Sequence, residues 1–185
     1  MRHTDPATTP AALPSAAGYR FALIVSRFNK SITEALRQGA RAALTEAGVA
    51  EKDIEEMDVP GAFELPQAAQ YAAGSGRFDA VITLGCVIRG GTPHFEYISS
   101  AVAQGTMDAA LRTGAPVAFG VLTTESLAQA EERAGPGRDN KGWEAAAAAA
   151  EMAILFRRLG RTPARAASTP RPFGFEPRST RGTER

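Results

Sequence analysis

Residues 85 to 98, GCVIRGGTPHFEYI, combine the residue types from which a small-molecule site can be built. An apolar run gives way to Gly90 and Gly91, which remove side chains where a backbone could approach a ligand. Thr92 then reads as a helix N-cap, Pro93 as the first helical position and His94 as a residue of the first turn. The free N–H groups and positive dipole end of such a helix suit a phosphate. A helix end alone contributes only ~0.3–1 kcal/mol, so a phosphate pocket also needs a cation, which Arg133 or Lys141 could supply. The same four residues are equally compatible with a plain tight strand-to-helix connection, because the Walker lysine is missing. His94 is one of two histidines. A histidine exchanges protons near neutrality, and a positioned general acid or base contributes ~10²–10⁴ in rate; a lone one is also an ordinary surface or packing residue.

Other residues carry further options. Cys86 with His94 raises a cysteine nucleophile, yet a cysteine within ITLGCVI is more often a small buried hydrophobe, with nothing nearby to activate a thiolate. Glu64 could anchor hydroxyls or ring N–H groups, or be a solvated helix-start carboxylate. Phe28 and Phe119 could flank an aromatic ligand or belong to a core.

The elements that must position these residues follow from hydrophobic patterning. YRFALIV (19–25), the weaker segment 54–59, DAVITLGCVI (79–88) and PVAFGVL (116–122) read as strands. Helices follow each. The first is capped by Asn29 or Ser31 and stopped by Gly48, the second covers 65–73, and the third is entered through Thr92-Pro93 and followed by Gly114. The fourth is capped by Thr123 or Thr124, and the last spans about 142–159. The alanine run 145–150 lies between Trp143 and Ile154 at helical spacing and suits close helix packing. Strands alternating with helices predict a three-layer α/β/α sandwich, flavodoxin-like, with about four parallel strands. In such sheets ligands bind beyond the carboxyl ends of the strands, where Arg27–Asn29, Gly61–Glu64, Arg89–Thr92 and Thr123-Thr124 should converge.

At 185 residues the chain suits one domain with tails: a Pro/Thr/Ala-rich extension at 1–17, a domain at 18–160 and an Arg/Pro-rich tail at 161–185, both ends expected to be disordered. The formal charge is +1, but the tail sets six arginines against Glu176 and Glu184, so the domain itself is mildly acidic. That argues against a nucleic-acid-binding face. One cysteine and two histidines are too few for a typical zinc site, and the expected chemistry is metal-free. No run approaches the ~20 apolar residues of a membrane span, so no membrane partner is expected and the cytoplasm is the default.

Taken together, SRFN (26–29), VPGAFELP (59–66), LGCVIRGGTPHFEYI (84–98), FGVLTTESLAQAEERAG (119–135) and NKG (140–142) resemble the lumazine synthase family, in order and spacing, over about residues 18–158. The resemblance implies condensation of 5-amino-6-(D-ribitylamino)uracil with 3,4-dihydroxy-2-butanone 4-phosphate, giving 6,7-dimethyl-8-ribityllumazine, phosphate and water in riboflavin biosynthesis. It implies no cofactor. His94 would transfer protons, and Gly91, Thr92 and Arg133 would hold the butanone phosphate. Phe28 would stack on the pyrimidine; Ala62, Phe63, Glu64, Cys86, Val87 and Ile88 would contact the ribitylaminouracil, Cys86 through its backbone. Phe119 would close the pocket, with Lys141 a further candidate.

The resemblance also implies a homo-oligomer, a pentamer or a sixty-subunit shell of pentamers. Its active sites would lie between neighbouring subunits, with Phe119 and Arg133 coming from the neighbour, and riboflavin synthase is a candidate partner. PGRD (136–139) departs from the family pattern at a connection linked to assembly size. A flavin- or lumazine-binding protein without turnover, and a generic flavodoxin-like phosphate binder, are the competing readings. His94, Arg133 and the Gly-Gly-Thr turn favour the enzyme, since a pure binder needs no phosphate subsite beside the ring.

Overall fold

A computed structural model describes residues 12–161; the expectations for 1–11 and 162–185 fall outside the described residues. Four strands, β1 (Phe21–Ser26), β2 (Ile54–Val59), β3 (Ala80–Ile88) and β4 (Val117–Thr124), form a wholly parallel sheet in the order β2-β1-β3-β4. The helices α1 (Lys30–Glu46), α2 (Leu65–Gly74), α3 (His94–Thr113), α4 (Leu127–Arg133) and α5 (Lys141–Arg158) cover both faces. This is the expected three-layer, flavodoxin-like arrangement. None of the described helices is long and apolar enough to cross a membrane.

The period-2 alternation of the central strands sorts the core into two layers. Leu23, Val25, Ile82, Leu84 and Cys86 face α1 and α5, meeting Leu36, Ala40 and Ala146. Ala22, Ile24 and Val81 face α2 and α3, meeting Leu65, Ala69 and Val102. The alanine run behaves as expected: Ala145, Ala146, Ala147, Ala149 and Ala150 are buried. A Cβ at Gly142 would lie 2.0 Å from the Leu36 carbonyl oxygen, and one at Gly120 would lie 2.9 Å from the Thr83 carbonyl oxygen and 3.1 Å from Ala145 Cβ. Glycine at these two positions lets α5 close on α1 and on the outer strand β4.

Several expectations need correction. Asn29 precedes α1 but does not cap it with its side chain, because its backbone is left-handed. Pro93, not Thr92, is the N-cap of α3, so His94 opens the helix and Thr92 belongs to the turn before it. Strand β4 runs on to Thr124, paired with Ile88, and α4 is therefore capped two residues later by Ser126, whose hydroxyl accepts from Gln129 N–H at 3.3 Å. A short 3₁₀ turn, Ala62–Glu64, precedes α2 and was not foreseen.

Residues 12–17, read as part of an extension, include packed ones. Leu13 lies against the core, and buried Ala16 donates its N–H to the Ala47 carbonyl at 2.8 Å. Close by, at the amino end of the sheet, Arg157 reaches both carboxylate oxygens of buried Asp79, at 2.8 and 3.0 Å, and the Gly18 carbonyl at 3.2 Å. Apolar and polar anchors together outweigh the extended-chain composition of this segment.

Candidate active site

Strand order reverses between β1 and β3, and a doubly wound sheet opens its ligand crevice at the carboxyl ends of such a pair. Three turns meet there. Between β1 and α1, Arg27, Phe28 and Asn29 turn the chain, and Phe28 stands 68% exposed. After β2, the Glu64 carboxylate accepts from Gly61 N–H at 2.9 Å, which pins the 3₁₀ turn with Ala62 buried and Phe63 58% exposed. Glu64 thus has a structural bond of its own and keeps further acceptor capacity for a ligand.

The third turn follows β3. Cys86 is buried, and Val87 and Ile88 are half-buried. Burial pushes the Cys86 thiol up to about 11, leaving it protonated near neutrality and unsuited to nucleophilic attack. Its carbonyl accepts from the Asn29 carboxamide at 2.9 Å. Arg89 is tied down: its N–H donates to the Thr124 carbonyl at 2.9 Å, and its guanidinium pairs with Glu125 and, at 2.7 Å, with Glu96. It also lies 4.2 Å from the centroid of the Phe95 ring. The hydrogen bonds to Glu125 and then Glu96 raise its pKa further above the ordinary guanidinium value.

Arg89, Gly90, Gly91, Thr92, Pro93 and Glu96 line an open recess of about 370 Å³, with exposed His94 at the head of the twenty-residue helix α3. A Cβ at Gly90 or Gly91 would meet no heavy atom beyond its chain neighbours within 4 Å. The fold itself therefore has room for a side chain at both positions.

Phe119, Arg133 and Lys141 are elsewhere. Phe119 pairs with Thr83, five residues before the end of β4 and so about 16 Å from the rim along the strand. The three line a groove of about 420 Å³ at the outer edge of the sheet, between β4, the end of α4 and the start of α5. Lys141 pairs there with Glu144, and Arg133 donates to the Gln129 carbonyl at 3.0 Å.

Buried Asn140 ties this corner together. Its amide donates to the carbonyls of Ala35, Ala134 and Gly135, at 3.1, 2.9 and 2.9 Å, while its oxygen accepts from Gly142 N–H at 2.8 Å and Trp143 N–H at 3.3 Å. The unusual PGRD connection enters this knot through Gly137, at φ 94°, whose carbonyl accepts from Asn140 N–H at 3.2 Å. Thus the structure sets Phe28, Ala62–Glu64, Cys86–Ile88 and Gly91–His94 at the carboxyl ends of β1, β2 and β3, and brings Phe119, Arg133 and Lys141 into a separate groove. Sequence reasoning missed Asn29 and Asn140 as organisers. The signal was asparagine, which tolerates left-handed backbone and offers both donor and acceptor, beside helix starts.

A rim with aromatic and carboxylate groups, an exposed imidazole and a helix N-terminus can orient a planar polyhydroxylated substrate and move protons. The 6,7-dimethyl-8-ribityllumazine synthase family model matches residues 18–157. The chain belongs to that family. A 6,7-dimethyl-8-ribityllumazine synthase of Syntrophus aciditrophicus (strain SB) is 55% identical over 144 residues, covering 78% of this chain and 94% of the relative. The 6,7-dimethyl-8-ribityllumazine synthase of Anaeromyxobacter dehalogenans (strain 2CP-C) is 51% identical over 150 residues, covering 81% and 93%. The lumazine synthase match spans every element from β1 to nearly the end of α5, and so includes both the rim and the groove.

Proposed function

We infer that the rim and the groove are two halves of one active site, completed between neighbouring subunits of a homo-oligomer. The chain is a transferase of riboflavin biosynthesis. It condenses 5-amino-6-(D-ribitylamino)uracil with 3,4-dihydroxy-2-butanone 4-phosphate to 6,7-dimethyl-8-ribityllumazine, phosphate and water. In our reading the rim receives the pyrimidine, with Phe28 stacked on its ring and Ala62–Glu64 and the Cys86–Ile88 backbone meeting its edge and ribityl chain. Gly91 and Thr92 hold the phosphate, and His94 carries protons between the amine, the carbonyl and the leaving group. A neighbour supplies Phe119 and Arg133, with Lys141 beside them.

The observation that carries the shared-site reading is the fate of charge at the rim. Its recess has Arg89 as the cation among its lining residues, and Arg89 is committed to Glu96 and Glu125. Helix N–H groups alone hold a phosphate weakly, so the cation must come from outside this recess. On our reading Arg133, in a groove with Phe119 on the outer strand, serves an adjoining chain. The assembly is a pentamer or a shell of pentamers, working in the cytoplasm.

The decisive experiment combines turnover with complementation, in the presence of a chelator to keep the metal-free claim in view. Wild-type protein accelerates lumazine formation over the uncatalysed background. His94→Ala and Arg133→Ala chains are each strongly impaired, and equal co-assembly restores about a quarter of the sites if neighbours share them. No recovery in mixed assemblies of normal size defeats the shared-site reading, and activity abolished by the chelator defeats the metal-free one.

A further inference from the structure

Phe28 is 68% exposed, so packing does not fix its ring, but its flanks are anchored on both sides. Arg27 N–H donates to the Val59 carbonyl at the end of β2, at 2.9 Å. The Asn29 carboxamide donates to the Cys86 carbonyl near the end of β3, also at 2.9 Å. Asn29 is the sole non-glycine residue with positive φ among the described residues, at φ 57° and ψ 49°. That left-handed conformation is unfavourable for most L-residues and is best tolerated by asparagine and aspartate.

An N-cap ordinarily has extended backbone and turns its side chain onto the first N–H groups of its own helix. Here the Asn29 carbonyl accepts from Ile32 and Thr33 N–H, at 2.9 and 3.1 Å, while the carboxamide crosses to the neighbouring strand. Helix α1 gains nothing from that choice. What it fixes is the path of residues 27–29 between the ends of β2 and β3, with Phe28 at its middle. Disfavoured backbone held by a specific bond at the mouth of a crevice is a feature of working sites.

We propose that Asn29 is a positioning residue for the pyrimidine substrate: its left-handed backbone and its bond to the Cys86 carbonyl together aim the Phe28 ring across the crevice. This rests on the reading of the rim as the ribitylaminouracil half of the site. Asn29 acts through Phe28 rather than by touching the substrate.

The test is equilibrium binding of 5-amino-6-(D-ribitylamino)uracil to the full-length oligomer, in wild type, Asn29→Gly, Asn29→Asp, Phe28→Ala and the double variant Phe28→Ala/Asn29→Asp. Glycine keeps the left-handed backbone and removes the carboxamide; aspartate keeps size and backbone tolerance but faces the Cys86 carbonyl with an acceptor. Both single Asn29 variants should raise Kd roughly five- to tenfold, the loss of about one hydrogen bond's worth of placement. In the Phe28→Ala background Asn29→Asp should change Kd less than about twofold, because its effect is routed through the ring already removed. Equal loss in both backgrounds, or unchanged Kd in the single variants, overturns the inference. Absence of binding to wild type overturns the rim assignment itself and this inference with it.

Discussion

Rim and groove are built in opposite ways. Around the rim, short turns are stitched by single bonds such as Glu64 to Gly61 and Asn29 to Cys86, and the outermost side chains are exposed. The groove instead lies against close packing: α5 sits on Leu36 and on the Gly120 backbone, and five hydrogen bonds meet at one buried asparagine. A loosely packed rim can accept substrates and move protons, whereas a closely packed corner can hold a cation and an aromatic ring at fixed spacing. The two carry their stability and their chemistry in different places.

That contrast can be broken by experiment, beginning where the effect should be largest. His94→Ala removes the imidazole to which we assign proton transfer at the rim and should lower kcat by ~10²–10⁴ while ribitylaminouracil binding, measured by titration, stays near the wild-type value. Lost binding with unchanged turnover per occupied site would assign His94 to substrate retention instead.

Gly142→Ala should cost about 1–3 kcal/mol by forcing a Cβ onto the Leu36 carbonyl, seen as a lowered midpoint in thermal unfolding. Gly91→Ala at the rim, where no atom of the chain stands in the way, should leave stability within about 0.5 kcal/mol. If the two substitutions were equally destabilising, the distinction between open rim and packed corner would be lost.

The effect expected to be smallest at neutral pH concerns Cys86, which sits under the rim. Its thiol is raised to about 11 in the folded state by burial, against an unfolded value near 9. In that window the folded protein retains a proton that the unfolded chain releases. The contribution is therefore complete below pH 9 and is lost as pH rises through 11, amounting on the order of 1–3 kcal/mol. Unfolding titrations of wild type and Cys86→Ala should run parallel below pH 9 and converge above it; curves parallel throughout would mean that the thiol is not desolvated.

Much of this protein was legible in its residues. Apolar runs in 21–25 and 80–88 read as strands covered on both faces, and Gly48 and Gly114, at φ 80° and 62°, stop helices where their type suggested. The motif order sufficed to name the reaction family. Local signals were less reliable at helix starts. Thr92, Thr123 and Thr124 all had capping chemistry, but β4 pairing with β3 through Thr124 carried the strand past two of them, and the chain turned into α3 one residue later than Thr92 allows.

The sequence by itself determined the layers, the strand-and-helix alternation and the set of chemically able side chains, because these depend on hydrophobic period and residue type within a few neighbours. Only the tertiary structure decided that Phe119, Arg133 and Lys141 share a groove apart from His94, that Arg89 is already neutralised, and that Asn29 and Asn140 spend their amides on distant carbonyls. Those outcomes depend on sheet register and on helix contacts between residues far apart in the chain, which spacing along one strand of sequence does not encode.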